Sequence, residues 1–176
     1  MRLRDLGLPC RGAVDESDIA WRLVQAIRSV QPSILLVPHA QERDPEHRKT
    51  HSAALEAAWL SASPFRTALG PPTQAIDVIL GYEVWTPSVR PALTVDISDQ
   101  MKTKLDALKC YVSQLAILDL VGAAEGLARY RGALRGACTL AECYTVDRVN
   151  EGLLFTDRPN RDDSHVQPGS ACWESG

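Results

Sequence analysis

The run PHAQERDPEHRKTH, residues 38–51, holds three of the four histidines in a chain of 176 residues. Imidazoles and carboxylates this close together can bind a metal, move protons or simply cap a helix. His47 and His51 are four residues apart, so both lie on one side of a helix that begins near Pro45. Histidines at i and i+4 are a usable zinc spacing, but two fall short of the three protein ligands of a catalytic zinc. The motif also lacks a glutamate directly after the first histidine, so it cannot run a metalloprotease mechanism. Glu42, Asp44 and Glu46 place carboxylates where they complement the helix dipole, and Asp44 before Pro45 makes a good N-cap. A polar turn feeding a helix thus explains the acids. It does not explain why His39, His47 and His51 gather around them.

The surrounding elements place this run at a junction. DESDIAWRLVQAIRSVQP reads as a helix capped by Asp15 or Ser17, with Ile19, Ala20, Leu23, Val24, Ile27 and Val30 as its apolar stripe and Pro32 as its stop. SILLVP is a short continuous apolar run that suits a strand buried on both faces. Residues 45–61 form a second helix, with Ala53, Ala54, Leu55, Ala57, Ala58 and Trp59 expected to be mostly buried. The histidine run therefore links the C-terminal end of a strand to the first turn of a helix, where open α/β sheets place their ligands. Beyond a Pro- and Gly-rich loop, AIDVILGYEVWTP and ALTVDIS read as strands. A helix capped by Ser98 follows over DQMKTKLDALKCYVSQL, then a glycine-containing helix over DLVGAAEGLARYRGALRGA, and LAECYTV as a last strand. This alternation predicts an α/β fold with a mostly parallel, Rossmann-like sheet and flanking helices. Residues 158–176 are polar and turn-rich, and the reading there is a loose tail.

Composition narrows the function classes. A net charge of −3 gives no electrostatic case for nucleic acid or an anionic membrane surface. No run of about 18 apolar residues is present, and the N-terminus lacks a signal-peptide pattern. The five cysteines include no C-x-x-C pair, which suits idle thiols in a reducing cytosol and a cytoplasmic location.

The stretch VPHAQERDPEHRKTHSAALEAA resembles the second motif, H-P-D-H followed by an Ala-rich helix, of the PIG-L/LmbE-like zinc de-N-acetylases of N-acetylglucosamine conjugates. YEVWTP, VDIS, KLDALKCYVSQL and GLARYRG with AECY match further blocks of that family in the same order, so the likeness covers roughly residues 1–155. The resemblance implies that His47 is a zinc ligand. Asp44 stands where the family has the histidine that helps polarise the amide carbonyl, and an ionised carboxylate there would repel a developing oxyanion. Glu46 stands in place of the intervening aspartate; Asp44 and Glu46 are the catalytic-position candidates and would orient the site. The family's opening P-H-P-D-D-E motif, which supplies two more zinc ligands and a general base, has no counterpart among the 176 residues. A helix precedes the first strand as well, so the expectation is an incomplete LmbE-like domain over 1–157, the C-terminal part of a deacetylase. Asp162, Asp163 and His165 are the nearest substitute composition, in the wrong order.

The resemblance further implies zinc as cofactor, an amino-sugar conjugate as substrate, and zinc-assisted attack of water on an acetamide. His39, His51, Tyr82, Trp85 and Arg131 are candidate substrate contacts. From the residues alone, Tyr82 and Trp85 read as packing at a strand end with sugar stacking as the alternative, residues 129–131 as a solvated helix face with carboxylate pairing or an anionic aglycone as the alternatives, and Asp96 as fixing a turn. Two other readings stay open: a non-catalytic remnant that dimerises through an open sheet edge, and an unrelated α/β binding domain with a chance histidine cluster.

Overall fold

A computed structural model describes residues 5–9, 11, 14–136 and 138–153. The order is α1 (Glu16–Val30), β1 (Ile34–Pro38), α2 (Pro45–Ala62), β2 (Val78–Tyr82), β3 (Leu93–Asp96), α3 (Met101–Leu108), α4 (Val112–Leu115), α5 (Leu120–Arg135) and β4 (Ala141–Val149). The strands form one sheet in the order β1-β2-β4-β3. The residues of the expected tail, including Asp162, Asp163 and His165, lie outside the described residues. No described helix is long and apolar enough to cross a membrane.

The α/β class matches the expectation, and the strand directions qualify it. β1 and β2 pair in parallel, with Ile34 opposite Val78 and Pro38 opposite Tyr82. β4 then runs antiparallel to both β2 and β3. Three of the four strands point the same way, yet only one of the three pairings is parallel, because the reversed strand sits inside the sheet. Backbone and side chain of Asn150 both bond to Asp77, tying the exit of β4 to the entrance of β2.

One face of the sheet is covered by α1 and α2. Ile19, Ala20, Val24 and Ile27 of α1 pack with Ala53, Ala54, Ala57 and Ala58 of α2 over Val37 and Ile79. The alanine face keeps α2 thin enough to lie close to both the sheet and α1. Trp59, expected inside, is 69% exposed, because it falls off the stripe formed by Ala54, Ala57, Ala58 and Ser61. β1 also departs from expectation. Leu35 and Val37 face the helices, while Ile34 and Leu36 are 56% and 52% exposed, since no described element covers that side. A second cluster joins Ile97, Met101 and Ala128, with Leu105 and Leu140 around it. Gly132 permits this packing: a Cβ there would lie 2.4 Å from the Thr139 carbonyl oxygen.

The single helix expected after Ser98 is two short ones, α3 and α4, broken at 109–111. Ser98 caps neither. Its backbone N–H (2.9 Å) and hydroxyl (2.6 Å) both donate to Asp96 Oδ1, so Asp96 fixes the turn as expected. Among the described residues, Cys110, Cys138 and Cys143 form no disulfide.

The joint between α1 and α2 rests on Arg28, which is 2% exposed. Its guanidinium donates to the carbonyls of Leu60, Ser61, Ser63, Phe65, Arg66 and Gly70 at 2.7–3.2 Å. Carbonyls at the end of a helix lack intrahelical partners and carry the negative end of its dipole. A five-donor fork suits that arc, and the three-donor ammonium of lysine does not. Arg28→Ala is expected to lower the unfolding free energy by about 3 kcal/mol, since six buried or partly buried carbonyls lose a charged donor together. Arg28→Lys should recover little of it, as read from urea midpoints at constant m-value.

Candidate functional site

The histidine run folds around a residue that its spacing does not single out. Glu42 is 1% exposed, yet its carboxylate has no arginine or lysine partner among the described residues. Instead, Oε1 accepts the backbone N–H groups of Val84 (2.9 Å), Trp85 (3.0 Å) and Thr86 (3.1 Å), the loop that follows β2. Oε2 lies 3.2 Å from the Trp85 nitrogen and 3.4 Å from His47 Nδ1. His39 Nε2 stands 3.2 Å from Oε1. Burial alone would push the Glu42 acid constant up; the N–H groups of Thr86 and Val84, then His47 and Trp85, outweigh it and hold the carboxyl below its ordinary range. Three consecutive N–H groups aimed at one oxygen are a backbone anion cradle.

The segment around Glu42 is nested into the same loop. His39 is fully buried, with Nε2 2.7 Å from the Thr86 carbonyl and Nδ1 accepting from the Gln41 N–H at 3.2 Å. Arg43 N–H donates to Thr86 Oγ1 at 2.9 Å, and its guanidinium stands 5.6 Å from the centre of the Trp85 ring. Gly81 makes this approach possible. A Cβ there would stand 2.9 Å from His39 Cα and 2.2 Å from Thr145 Oγ1.

The other expected site residues divide into three groups. His47, in the first turn of α2, is partly exposed, and its Nε2 has no hydrogen-bond partner among the described residues. Asp44 is the N-cap of α2, accepting the Glu46 N–H at 2.9 Å, and it pairs with Arg11 at 2.7 Å. Arg11 first, and then the Glu46 N–H, holds the Asp44 carboxyl below its usual value. Glu46 also meets Arg11, at 3.6 Å between Oε2 and Nε. Both catalytic-position acids are therefore gathered by one guanidinium at the helix start.

His51 points elsewhere, with Nδ1 2.8 Å from the Pro38 carbonyl and Nε2 3.7 Å from Asp147 Oδ1 on β4. A cavity of about 510 Å³ is lined by His39, Gln41, Ser88, Arg90, Thr145 and Asp147 among others, a volume that suits a small ligand. Neither His47 nor any of Glu42, Asp44 and Glu46 lines it. Tyr82 is half-buried at the end of β2, and burial, with the Glu42 charge behind it, raises its phenol. Arg131 is not on a solvated face. It is buried against Glu83 and donates to the Ser88 carbonyl at 2.8 Å, while Ser88 N–H donates to Glu83 at 2.6 Å. That triad anchors α5 to the loop carrying Trp85 and Ser88.

Among the described residues no group of three or more His, Cys, Asp or Glu side chains could hold a metal ion. His47 offers one outward nitrogen, so the described residues alone do not fit a zinc ion. The residue that sequence reasoning assigned only to the helix dipole, Glu42, is the organising one. Its partners in the Val84–Thr86 backbone are more than 40 residues away, so no local spacing marks it.

No family model matches the chain. Solved structures do. A conserved protein, TT1542, from Thermus thermophilus superposes with a TM-score of 0.72 at 25% identity, over 80% of this chain and 63% of that one. GalB, the 4-carboxy-2-hydroxymuconate hydratase of Pseudomonas putida KT2440, gives 0.62 at 19% identity, over 87% and 63%. The N,N'-diacetylchitobiose deacetylase of Pyrococcus horikoshii gives 0.61 at 24% identity, over 91% and 59%. The chain thus spans less than two thirds of each of these structures, and it shares their fold, which houses a deacetylase and a hydratase alike.

Two outcomes are expected from this geometry. Gly81→Ala forces His39 or Thr145 to move and should cost about 1–3 kcal/mol, with displaced His39 ring resonances in NMR spectra. Glu42 has a lowered constant in the folded state, so its stabilisation is present above its ordinary value of 4.5 and is lost as pH falls through the folded value. Asp44, Asp96, Asp106 and Glu142 are lowered as well. The wild-type acid limb is therefore composite, and a shallower acid limb in Glu42→Gln urea titrations would isolate the Glu42 share.

Proposed function

We propose that this chain carries the His47 portion of a metal-dependent amidohydrolase site acting on an N-acetylglucosamine conjugate. The observation that supports it is His47 at the start of α2, presenting Nε2 outward while buried Glu42 backs its Nδ1. A carboxylate behind a histidine is the arrangement that orients metal-binding imidazoles and raises their basicity. The fold shared with a chitobiose deacetylase adds to it. Zinc, when bound, would supply Lewis acidity and a more acidic water. The remaining donors would have to come from outside the described residues, because only His47 is placed to contribute.

The chain's own residues would prepare the surroundings. Asp44 occupies a position where a bare carboxylate would oppose an oxyanion, and its pairing with Arg11 cancels much of that charge. The same pairing places a guanidinium beside the site, a donor able to approach an amide oxygen. The cavity beside His39 has room for a sugar ring.

A second reading, a non-catalytic module, draws on the absence of a three-donor set among the described residues. One experiment separates the two. The protein isolated from its native source is assayed for bound zinc and for acetate release from N,N'-diacetylchitobiose, alongside His47→Ala. The hydrolase reading expects both signals in the wild type, and in the variant loss of the zinc and at least about a 100-fold loss of activity while it still melts cooperatively. Zinc-free, inactive wild-type protein would favour the non-catalytic reading, and a variant that keeps both signals would overturn the assignment of His47.

A further inference from the structure

We infer that Glu42 is a positioning residue that sets the tautomer of His47, opposite to that of His39, and so ties the outward nitrogen of His47 to the Val84–Thr86 loop. This goes beyond the proposed reaction and holds whether or not the chain hydrolyses an amide.

The tautomers follow from donors and acceptors. The Thr86 carbonyl, 2.7 Å from His39 Nε2, can only accept, so Nε2 carries the ring proton. The Gln41 N–H donates to Nδ1, which therefore keeps its lone pair. At His47 the pattern is reversed. Nδ1 faces Glu42 Oε2 at 3.4 Å, and an ionised carboxylate only accepts, so the proton sits on Nδ1. The lone pair of His47 is thereby directed outward through Nε2, the form that can take up a cation or a substrate proton.

Glu42 does not hold this arrangement by itself. Its Oε1 is filled by the N–H groups of Val84, Trp85 and Thr86, and the Thr86 carbonyl is the group that holds His39. One anion thus connects the end of β2 to the first turn of α2. A shift of residues 84–86 moves the carboxylate, and with it the group that sets the His47 ring.

Glutamine separates charge from shape. In Glu42→Gln the amide oxygen satisfies the three loop N–H groups, which leaves its NH₂ pointing at His47. An NH₂ donates, so His47 Nδ1 must become the acceptor and the ring proton must move to Nε2, closing the outward lone pair. His51 provides an internal control, because its Nδ1 donates to the Pro38 carbonyl and does not touch Glu42.

The test is long-range ¹H–¹⁵N NMR of the imidazoles in ¹⁵N-labelled protein at about pH 8, above the ordinary range of a free imidazole. In the wild type, His47 and His51 should show the proton on Nδ1 and His39 on Nε2. In Glu42→Gln the two His47 nitrogens should exchange their chemical-shift positions while His51 stays as it was. A wild-type His47 protonated on Nε2 overturns the inference outright, and this arm stands even if the variant does not fold. So does a folded variant, judged by its melting curve, in which His47 keeps the proton on Nδ1.

Discussion

A carboxylate taken out of water costs several kcal/mol unless donors replace the lost hydration. Glu42 is such a group, and much of the local structure follows from meeting its needs. No side-chain cation reaches it among the described residues, so the chain supplies three backbone N–H groups from one loop. That requires β2 to end at Tyr82 and turn at once, and Gly81 lets His39 close over the strand. It also requires the 39–43 segment to fold back on itself, which the Glu42 N–H to His39 carbonyl bond at 3.2 Å secures. The position of α2, and of His47 upon it, is downstream of these constraints.

The same economy recurs at two other joints. Arg28 is a buried cation held by carbonyls, the complement of a buried anion held by N–H groups. Glu83 and Arg131 form a buried pair that also uses the backbone of Ser88. Each charge sits where two elements must meet at a set distance: α1 with α2, β1 with the loop after β2, and α5 with that same loop. Buried charges are a weak source of net stability, since their desolvation offsets most of the attraction. They are strict about geometry, however, because a misplaced partner leaves a charge bare.

Helices and strands with period-3.6 or apolar character were readable directly: α1, α2, α5 and all four strands lie where the spacing puts them. The failures share a cause. Trp59 and Ile34 were placed inside on composition, and burial was decided by which face another element happens to cover. The break between α3 and α4 was hidden because helical spacing continues through Lys109 to Tyr111, while Ser98 spends its hydroxyl on Asp96. At the site, Asp44 as N-cap and Asp96 as turn former were legible, because they act on neighbours in sequence. Glu42 was not. Its partners lie more than 40 residues away and are backbone groups, which carry no signature in residue types. For Arg131 the surface reading is overturned and the carboxylate-pairing alternative holds; its partner Glu83 is remote in sequence and so not named by local spacing.

The place of β4 has a consequence for how the chain is made. Among the described residues it is the last strand in sequence, yet it lies inside the sheet and is the sole partner of β3. β1 and β2 can pair as soon as both have left the ribosome, but β3 must wait while α3, α4 and α5 are synthesised. At ~5–20 residues per second, that interval lasts a few seconds. Throughout it, residues 93–96 offer an unpaired backbone and the apolar side chains of Leu93 and Val95 to any neighbouring nascent chain. Translation speed across the segment between β3 and β4 therefore sets how long the growing protein is open to mispairing.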